Sequence, residues 1–265
     1  MNLFVSIIKR FALLYSQMVQ LVGILNITPD SFSDGNLFLE PKEAIKQATK
    51  LFEDGASLVD IGAESTRPGA TELSTDQEWQ RLEPVMKRLL ALYPNRLSLD
   101  TYHPETAKKA LAIGDFIIND VTGMNNTEMI DVIAKHHARC IISHLPGKDI
   151  QAAHRGVLLD DIQVVVNYLL RKALILESKG LKRQQIILDP GIGFGKTPDL
   201  NRRLLKFAEQ LPDYEVMIGY SRKRFLGEYR LELEPNLAAG KVAIAAGAAY
   251  LRVHDVSGHH QLLQS

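Results

Sequence analysis

From Leu21 onward, short aliphatic runs alternate with amphipathic stretches of helical length, and the alternation repeats eight times. Short runs rich in Val, Ile and Leu read as strands buried on both faces, and parallel strands need a helix-length crossover between them. The runs end near Asn26, Gly62, Asp100, Asn119, His144, Asp189, Gly219 and Val253. Helical patterns follow over about 41–54, 76–92, 104–113, 126–137, 158–179, 198–210, 235–249 and after 255, with no linker or low-complexity run between them. Eight such units in one uninterrupted stretch suit a closed barrel better than an open sheet. The predicted fold class is α/β, a (β/α)8 TIM barrel forming a single domain over residues 19–265, with residues 1–18 as a short N-terminal extension packed on it.

That extension carries two apolar runs, residues 3–8 and 11–15, with Lys9 and Arg10 between them. The charges follow the first run rather than precede it, and neither run approaches a membrane span, so a packed tail is expected. With 46% hydrophobic residues in 265, the chain can bury a large core. Lys plus Arg equals Asp plus Glu, 31 each, so no global field favours nucleic acid or an acidic membrane, and any anion site must be local. The single cysteine, Cys140, excludes an intrachain disulfide and fits a reducing, cytoplasmic setting; within its apolar run it reads as a small core residue.

In a barrel of this kind, chemistry lies at the C-terminal ends of the strands and in the loops that follow. The unusual polar residues fall there: Asn26, residues 64–69, Asp100, Asn119, Asp120, His144, Asp189, residues 221–223, Arg252 and His254. Taken singly, each also has a structural reading, because Asp and Asn favour caps and turns. The richest stretch is Ile-Ile-Leu-Asp-Pro-Gly-Ile-Gly-Phe-Gly-Lys-Thr over residues 186–197. A nucleotide phosphate loop is rejected there. Gly191 stands one residue too close to Gly195, and the position that needs glycine is Pro190, which has no N–H to offer a phosphate. Two readings remain, a strand-to-helix turn presenting Asp189 and Phe194 to a ligand, or a satisfied structural Asp before a tight turn. A carboxylate at the mouth of an apolar strand needs hydrogen-bond partners in either case.

Asn26, a neutral oxygen ligand followed by a long Ser/Asp/Gly loop, suits a lid beside a hard cation such as Mg²⁺. Arg67, on a second long loop, suits stacking on an aromatic group or forking onto a phosphate. A solvated loop is the plain alternative for both.

Seven segments then coincide with one family in its own order. They are Leu25-Asn-Ile-Thr-Pro-Asp-Ser-Phe-Ser-Asp-Gly35, Asp60-Ile-Gly-Ala-Glu-Ser-Thr-Arg-Pro-Gly69, Leu99-Asp-Thr101, Ile118-Asn-Asp-Val-Thr-Gly123, Leu188-Asp-Pro-Gly-Ile-Gly-Phe-Gly-Lys196, Ser221-Arg-Lys-Arg-Phe225 and Arg252-Val-His-Asp-Val256. Over nearly all of residues 20–256 the chain resembles the dihydropteroate synthases. The resemblance implies a transferase of folate biosynthesis and a sulfonamide target. Such an enzyme joins 6-hydroxymethyl-7,8-dihydropterin diphosphate to p-aminobenzoate, releases pyrophosphate, uses Mg²⁺ and forms a homodimer. It further implies that Asp100, Asn119, Asp189 and Lys223 bind the pterin, and that Asn26, Arg67, Arg252 and His254 bind the diphosphate, with Asn26 also on the metal. Asn26, Lys223, Arg252 and His254 would thus carry the catalysis. Thr66, Arg67, Pro68, Phe194, Ser221 and Phe32 would enclose p-aminobenzoate.

Against the family pattern, Ser143 stands where a larger apolar residue is usual, Arg224 replaces a frequent serine, and residues 148–161 lack the customary loop wording. Two other readings share the pocket. The pterin-binding barrel of a corrinoid-dependent methyltransferase should lack the Ser-Arg-Lys and Arg-Val-His groups, which this chain has. A non-catalytic pterin-binding paralogue is separable by assay.

Overall fold

The structure, a computed structural model, describes residues 19–27, 40–64, 73–147, 150–156 and 158–265. The expected N-terminal extension, residues 1–18, lies outside them. Strands β1 (Gln20–Asn26), β2 (Leu58–Gly62), β3 (Leu97–Asp100), β4 (Ile117–Asp120), β5 (Cys140–Ser143), β6 (Ile186–Asp189), β7 (Glu215–Ile218) and β8 (Tyr250–Val253) follow one another in order and close into a barrel. Every neighbouring pair is parallel, and β1 completes the ring against β8. The helices are α1 (Glu40–Glu53), α2 (Thr75–Leu92), α3 (Pro104–Ile113), α4 (Thr127–His136), α5 (Ile150–Arg155), α6 (Ile162–Ser178), α7 (Pro198–Arg203), α8 (Leu233–Ala245) and α9 (Val256–Gln264).

Their starts follow from local chemistry. Ser74 and Gln77 form a reciprocal capping box before α2, and Asn126, Asp161, Thr197 and Asp255 each accept a main-chain N–H at a helix entrance. Pro104 and Pro198 sit in the first turn, where a missing N–H costs nothing. Three helical expectations are corrected, the first being the pattern read over 235–249, whose helix runs from Leu233 and ends at Ala245. The pattern read over 158–179 starts its helix only at Ile162, because Leu159 pairs with Lys196 in an isolated bridge and Asp161 then caps. The stretch read over 198–210 is α-helical only to Arg203 and continues as 3-10 turns over Leu204–Gln210. The short helix α5 was not expected.

Strand periodicity sorts the side chains into layers. Outward residues such as Val59, Ile61, Leu99, Ile118, Ile142, Leu188 and Leu251 join the helices in the main core. Inward, Val22, Leu58, Ile117, Ile141, Ile187, Met217 and Tyr250 form a separate apolar plug. Arg139 closes the plug from below, donating to the Glu215 carboxylate and the Tyr250 hydroxyl, both at 2.8 Å. Two residues further along these same strands, the inward positions become Asp60, Asn119, Ser143, Asp189, Gly219 and Arg252, with Ile24 as the apolar exception. Each aliphatic side chain in the plug contributes roughly 1.5–3 kcal/mol on burial. The plug therefore supports a polar layer that would be costly to bury alone.

Candidate active site

The polar layer is a network centred on Arg252. Its Nε donates to Asp60 Oδ2 at 2.7 Å and its Nη2 to Asp100 Oδ2 at 2.9 Å. Asn119 Nδ2 donates to the same Asp60 oxygen at 3.0 Å, which joins β2, β3, β4 and β8 through one guanidinium and one amide. Asp60 is fully buried, and its Oδ1 has no hydrogen-bond partner among the described residues. Burial, followed by the Asp60 charge, lifts the Asp100 carboxyl to about 7, against the pull of Arg252. A guanidinium has five N–H donors, and two are spent here on carboxylates. Nη1 of Arg252 is left unspent on these carboxylates, and the guanidinium is oriented by its two acid partners.

Asp189 faces this network across the barrel. Its Oδ1 accepts the Gly191 N–H at 2.7 Å, and burial raises its carboxyl above the ordinary range while Lys223, the Gly191 N–H, Arg252 and Lys196 oppose the rise. Gly219 stands beside it, where a methyl group would make ordinary contact with Asp189 Oδ2 at 3.6 Å and with Arg252 Cβ at 3.8 Å. Lys223 donates to the Ile192 carbonyl, and its ammonium lies 5.1 Å from the centre of the Phe194 ring. Burial lowers the Lys223 ammonium to about 8. A methyl at Gly193 would come within 2.9 Å of Lys223 Cδ, so the turn and the lysine stem fit only with glycine there. Asp189, Phe194 and Lys223 are therefore assembled as one wall.

Ser221 Oγ lies 3.0 Å from His254 Nδ1 and 3.2 Å from the His254 main-chain nitrogen. The structure thus joins Ser221 to His254, the residue expected at the diphosphate. Asn26 ends β1 half-buried at the barrel mouth. As a single neutral oxygen donor it fits a hard cation whose other ligands come from phosphate and water. Among the described residues, the three-residue cluster with metal-ligand spacing lies elsewhere, at Glu64, Glu78 and His103. Tyr102 donates to Glu64 at 2.6 Å, His103 Nε2 lies 3.3 Å from Glu64, and Thr101 donates to Glu78 at 3.1 Å. These bonds make the cluster an anchor for the start of the second long loop. Phe32, Thr66, Arg67 and Pro68 lie outside the described residues.

His144 is buried with its ring 5.0 Å from that of Tyr168, edge to face, and burial depresses its imidazole to about 3. It is a neutral core histidine, in keeping with its plainer reading. Asp120 is likewise internal, taking the Thr122 N–H and hydroxyl and the Met124 N–H. Sequence reasoning missed two residues of the site. Asp60 was visible only as a charge in phase with Leu58, on the inward side of β2. Lys196 stood in view at the end of the rejected phosphate-loop pattern. Its ammonium is buried on three main-chain carbonyls.

A buried carboxylate beside an aromatic ring and a lysine, facing a guanidinium held by two further carboxylates, makes a (β/α)8 site of the class suited to a flat, donor-rich heterocycle. Comparison with known proteins narrows this class. The family described as pterin binding enzyme matches residues 22–254. The dihydropteroate synthase of Escherichia coli K12 is 34% identical over 245 residues, covering 89% of this chain and 86% of its own. The synthase of Xanthomonas albilineans, solved with 4-aminobenzoic acid, superposes with a TM-score of 0.84 at 36% identity, covering 94% of this chain and 92% of that one. That of Burkholderia cenocepacia, solved with 7,8-dihydropteroate, gives 0.81 at 33%, covering 93% and 89%. The chain belongs to the dihydropteroate synthase family. No helix among the described residues is long and apolar enough to cross a membrane.

Proposed function

We propose that the protein condenses 6-hydroxymethyl-7,8-dihydropterin diphosphate with p-aminobenzoate to give 7,8-dihydropteroate and pyrophosphate. The observation that carries this reading is the Asp189 carboxylate, buried at the end of β6, with Oδ1 on the Gly191 N–H and Oδ2 beside the bare backbone of Gly219. A pterin edge offers parallel N–H donors, which a carboxylate accepts as a fork, and burial strengthens the pair. Asn119 and Asp100 supply further polar contacts from β4 and β3, and Lys223 donates to the pterin carbonyl or ring nitrogen.

At the other end of the substrate, Arg252 and His254 hold the diphosphate, joined by Asn26 and by Arg67 of the second loop. Asn26 Oδ1 would hold Mg²⁺ together with the phosphates, and the bound ion would supply positive charge to the leaving group. Arg252, held rigid by Asp60 and Asp100, needs little reorganisation as charge develops there. The C–O bond to the pterin methylene breaks with its electron pair leaving on pyrophosphate. The electron-rich dihydropterin stabilises the carbon left behind. The arylamine lone pair then forms the C–N bond, and the amine releases a proton. A weakly basic amine attacking an electron-poor carbon needs no strong general base.

For p-aminobenzoate, the Phe194 ring, Pro68 and the Lys223 stem form the slot, with Thr66 and Ser221 towards the carboxylate and Phe32 closing the first loop. The solved relative bound to 4-aminobenzoic acid, the same compound in its acid form, supports this assignment. A sulfonamide occupying that slot, a cytoplasmic location and a homodimeric assembly belong to the same reading. The deciding assay is pyrophosphate release by the purified protein with Mg²⁺ and the dihydropterin diphosphate. Release that depends on p-aminobenzoate and yields dihydropteroate is expected. Tight pterin binding without product would refute the synthase and leave a non-catalytic pterin-binding protein.

A further inference from the structure

The turn between β6 and α7 is held from inside by one buried side chain. Lys196 is 4% exposed, and its Nζ lies 2.8 Å from the Gly191 carbonyl and 3.1 Å from each of the His144 and Phe194 carbonyls. An ammonium has three N–H donors on one atom, and all three are matched. Arginine presents its donors in a planar fork, so it cannot serve three carbonyls converging on one point.

The acceptors are not equivalent in place. His144 follows β5, whose last residues run beside β6, and its own N–H donates to the Asp189 carbonyl at 2.9 Å. Gly191 and Phe194 belong to the turn itself, and the Gly191 carbonyl also accepts the Phe194 N–H at 3.2 Å. Lys196 therefore fastens the turn to the neighbouring strand end at a point between Asp189 and Phe194. The outer side is fixed separately. Asn201 Oδ1 accepts the Gly193 N–H at 2.8 Å, and Leu159 exchanges main-chain bonds with Gly195 and Thr197, both at 2.9 Å.

We propose that Lys196 is a positioning residue for the second substrate, setting the height and tilt of the Phe194 ring by clamping the Gly191 and Phe194 carbonyls against β5. This rests on the assignment of Phe194 to the p-aminobenzoate slot. Strand β6 and the Gly191 N–H hold Asp189 without the lysine. Loss of the clamp therefore acts on the slot more than on the pterin.

Electrostatics sharpens the consequence. Burial lowers the Lys196 ammonium to about 7, while Asp189 acts to raise it and Lys223, across the turn, to lower it further. His144, whose main-chain carbonyl takes one of the lysine's bonds, is neutral throughout this range. A neutral amine keeps two donors for three carbonyls, so the clamp weakens as the pH rises through about 7.

The test combines Lys196→Met, Phe194→Ala and the double variant, assayed for both substrates between pH 6 and 9, with hydrogen exchange measured on the peptide spanning residues 190–197. Lys196→Met should raise the KM for p-aminobenzoate at least tenfold while changing that for the pterin diphosphate less than threefold. In the wild type the p-aminobenzoate KM should climb above pH 7, and that limb should vanish in Lys196→Met. Because the lysine acts through Phe194, the double variant should match the worse single variant rather than the product of the two. Exchange over 190–197 should quicken in Lys196→Met. An unchanged p-aminobenzoate KM, or independent effects in the double variant, would overturn the positioning role. If the wild type makes no dihydropteroate, the functional reading fails first, and the exchange arm still decides, since unchanged protection would refute the clamp.

Discussion

Asp60→Asn isolates the contribution of a residue that touches no substrate in the proposed mechanism. The substitution keeps volume and can keep an acceptor for Arg252 Nε and Asn119 Nδ2, now at 2.7 and 3.0 Å. It removes one of the two carboxylates that flank the guanidinium. Stranding a buried charge typically costs about 3–5 kcal/mol. Arg252 retains Asp100 at 2.9 Å, so about 2 kcal/mol is expected. For a chain of this size that lowers Tm by roughly 4–8 °C. The sharper effect falls on Asp100, which burial and the Asp60 charge together lift to about 7. Neutralising Asp60 removes that repulsion and leaves burial opposed by the attraction of Arg252, so Asp100 should ionise at a lower pH than in the wild type. If ionised Asp100 is the acceptor for the pterin, wild-type affinity rises as pH passes through about 7, and in Asp60→Asn the same rise moves to lower pH. Calorimetric titration with a pterin analogue from pH 4.5 to 9 reads this directly. A limb that stays at 7, or moves upward, would show that Asp60 does not set the charge state of Asp100.

Asp189→Asn should abolish measurable pterin binding by calorimetry with the fold intact by circular dichroism, because the amide presents a donor where the pterin also donates; unchanged affinity would remove Asp189 from the pocket. Arg252→Ala should raise the KM for the pterin diphosphate at least tenfold, and since it also strands Asp60, the loss of stability should exceed that of Asp60→Asn in a parallel melt. Gly191→Ala should destabilise by more than about 2 kcal/mol, since φ is +64° and the added methyl would stand 2.1 Å from the His144 carbonyl oxygen. A Tm within 2 °C of wild type would refute that account.

Elements governed by near neighbours were legible in the sequence. All eight strands were readable because a run such as Ile186-Ile-Leu carries its own periodicity, and each strand ends within one residue of its expected place. Helix α6 was placed four residues early because Leu158-Leu-Asp-Asp161 extends the apolar pattern, while Leu159 is taken by a bridge to Lys196 and the true cap is Asp161. Partners far apart in the chain were not legible. Asp60 and Arg252 are separated by 192 positions, and Lys196 and His144 by 52. Nothing local distinguishes either residue from a solvated charge. The barrel alone brings these groups together, by placing successive inward positions of β2, β4 and β8 at one height.

That common height also explains how so many charges coexist in one small space. Asp60, Asp100 and Asp189 are opposed by Arg252, Lys223 and, from within the turn behind Asp189, Lys196, so the charges offset one another although each member is desolvated. A heterocycle without net charge can enter such a layer without upsetting the balance, by bonding to acceptors already compensated from behind. In the proposed mechanism the anionic diphosphate instead stays at the rim, beside His254 and Arg252. The bond to be broken joins these two parts of the substrate. It therefore falls at the boundary between the balanced interior and the rim, where departing negative charge moves towards solvent and cations while the remaining carbon faces carboxylates.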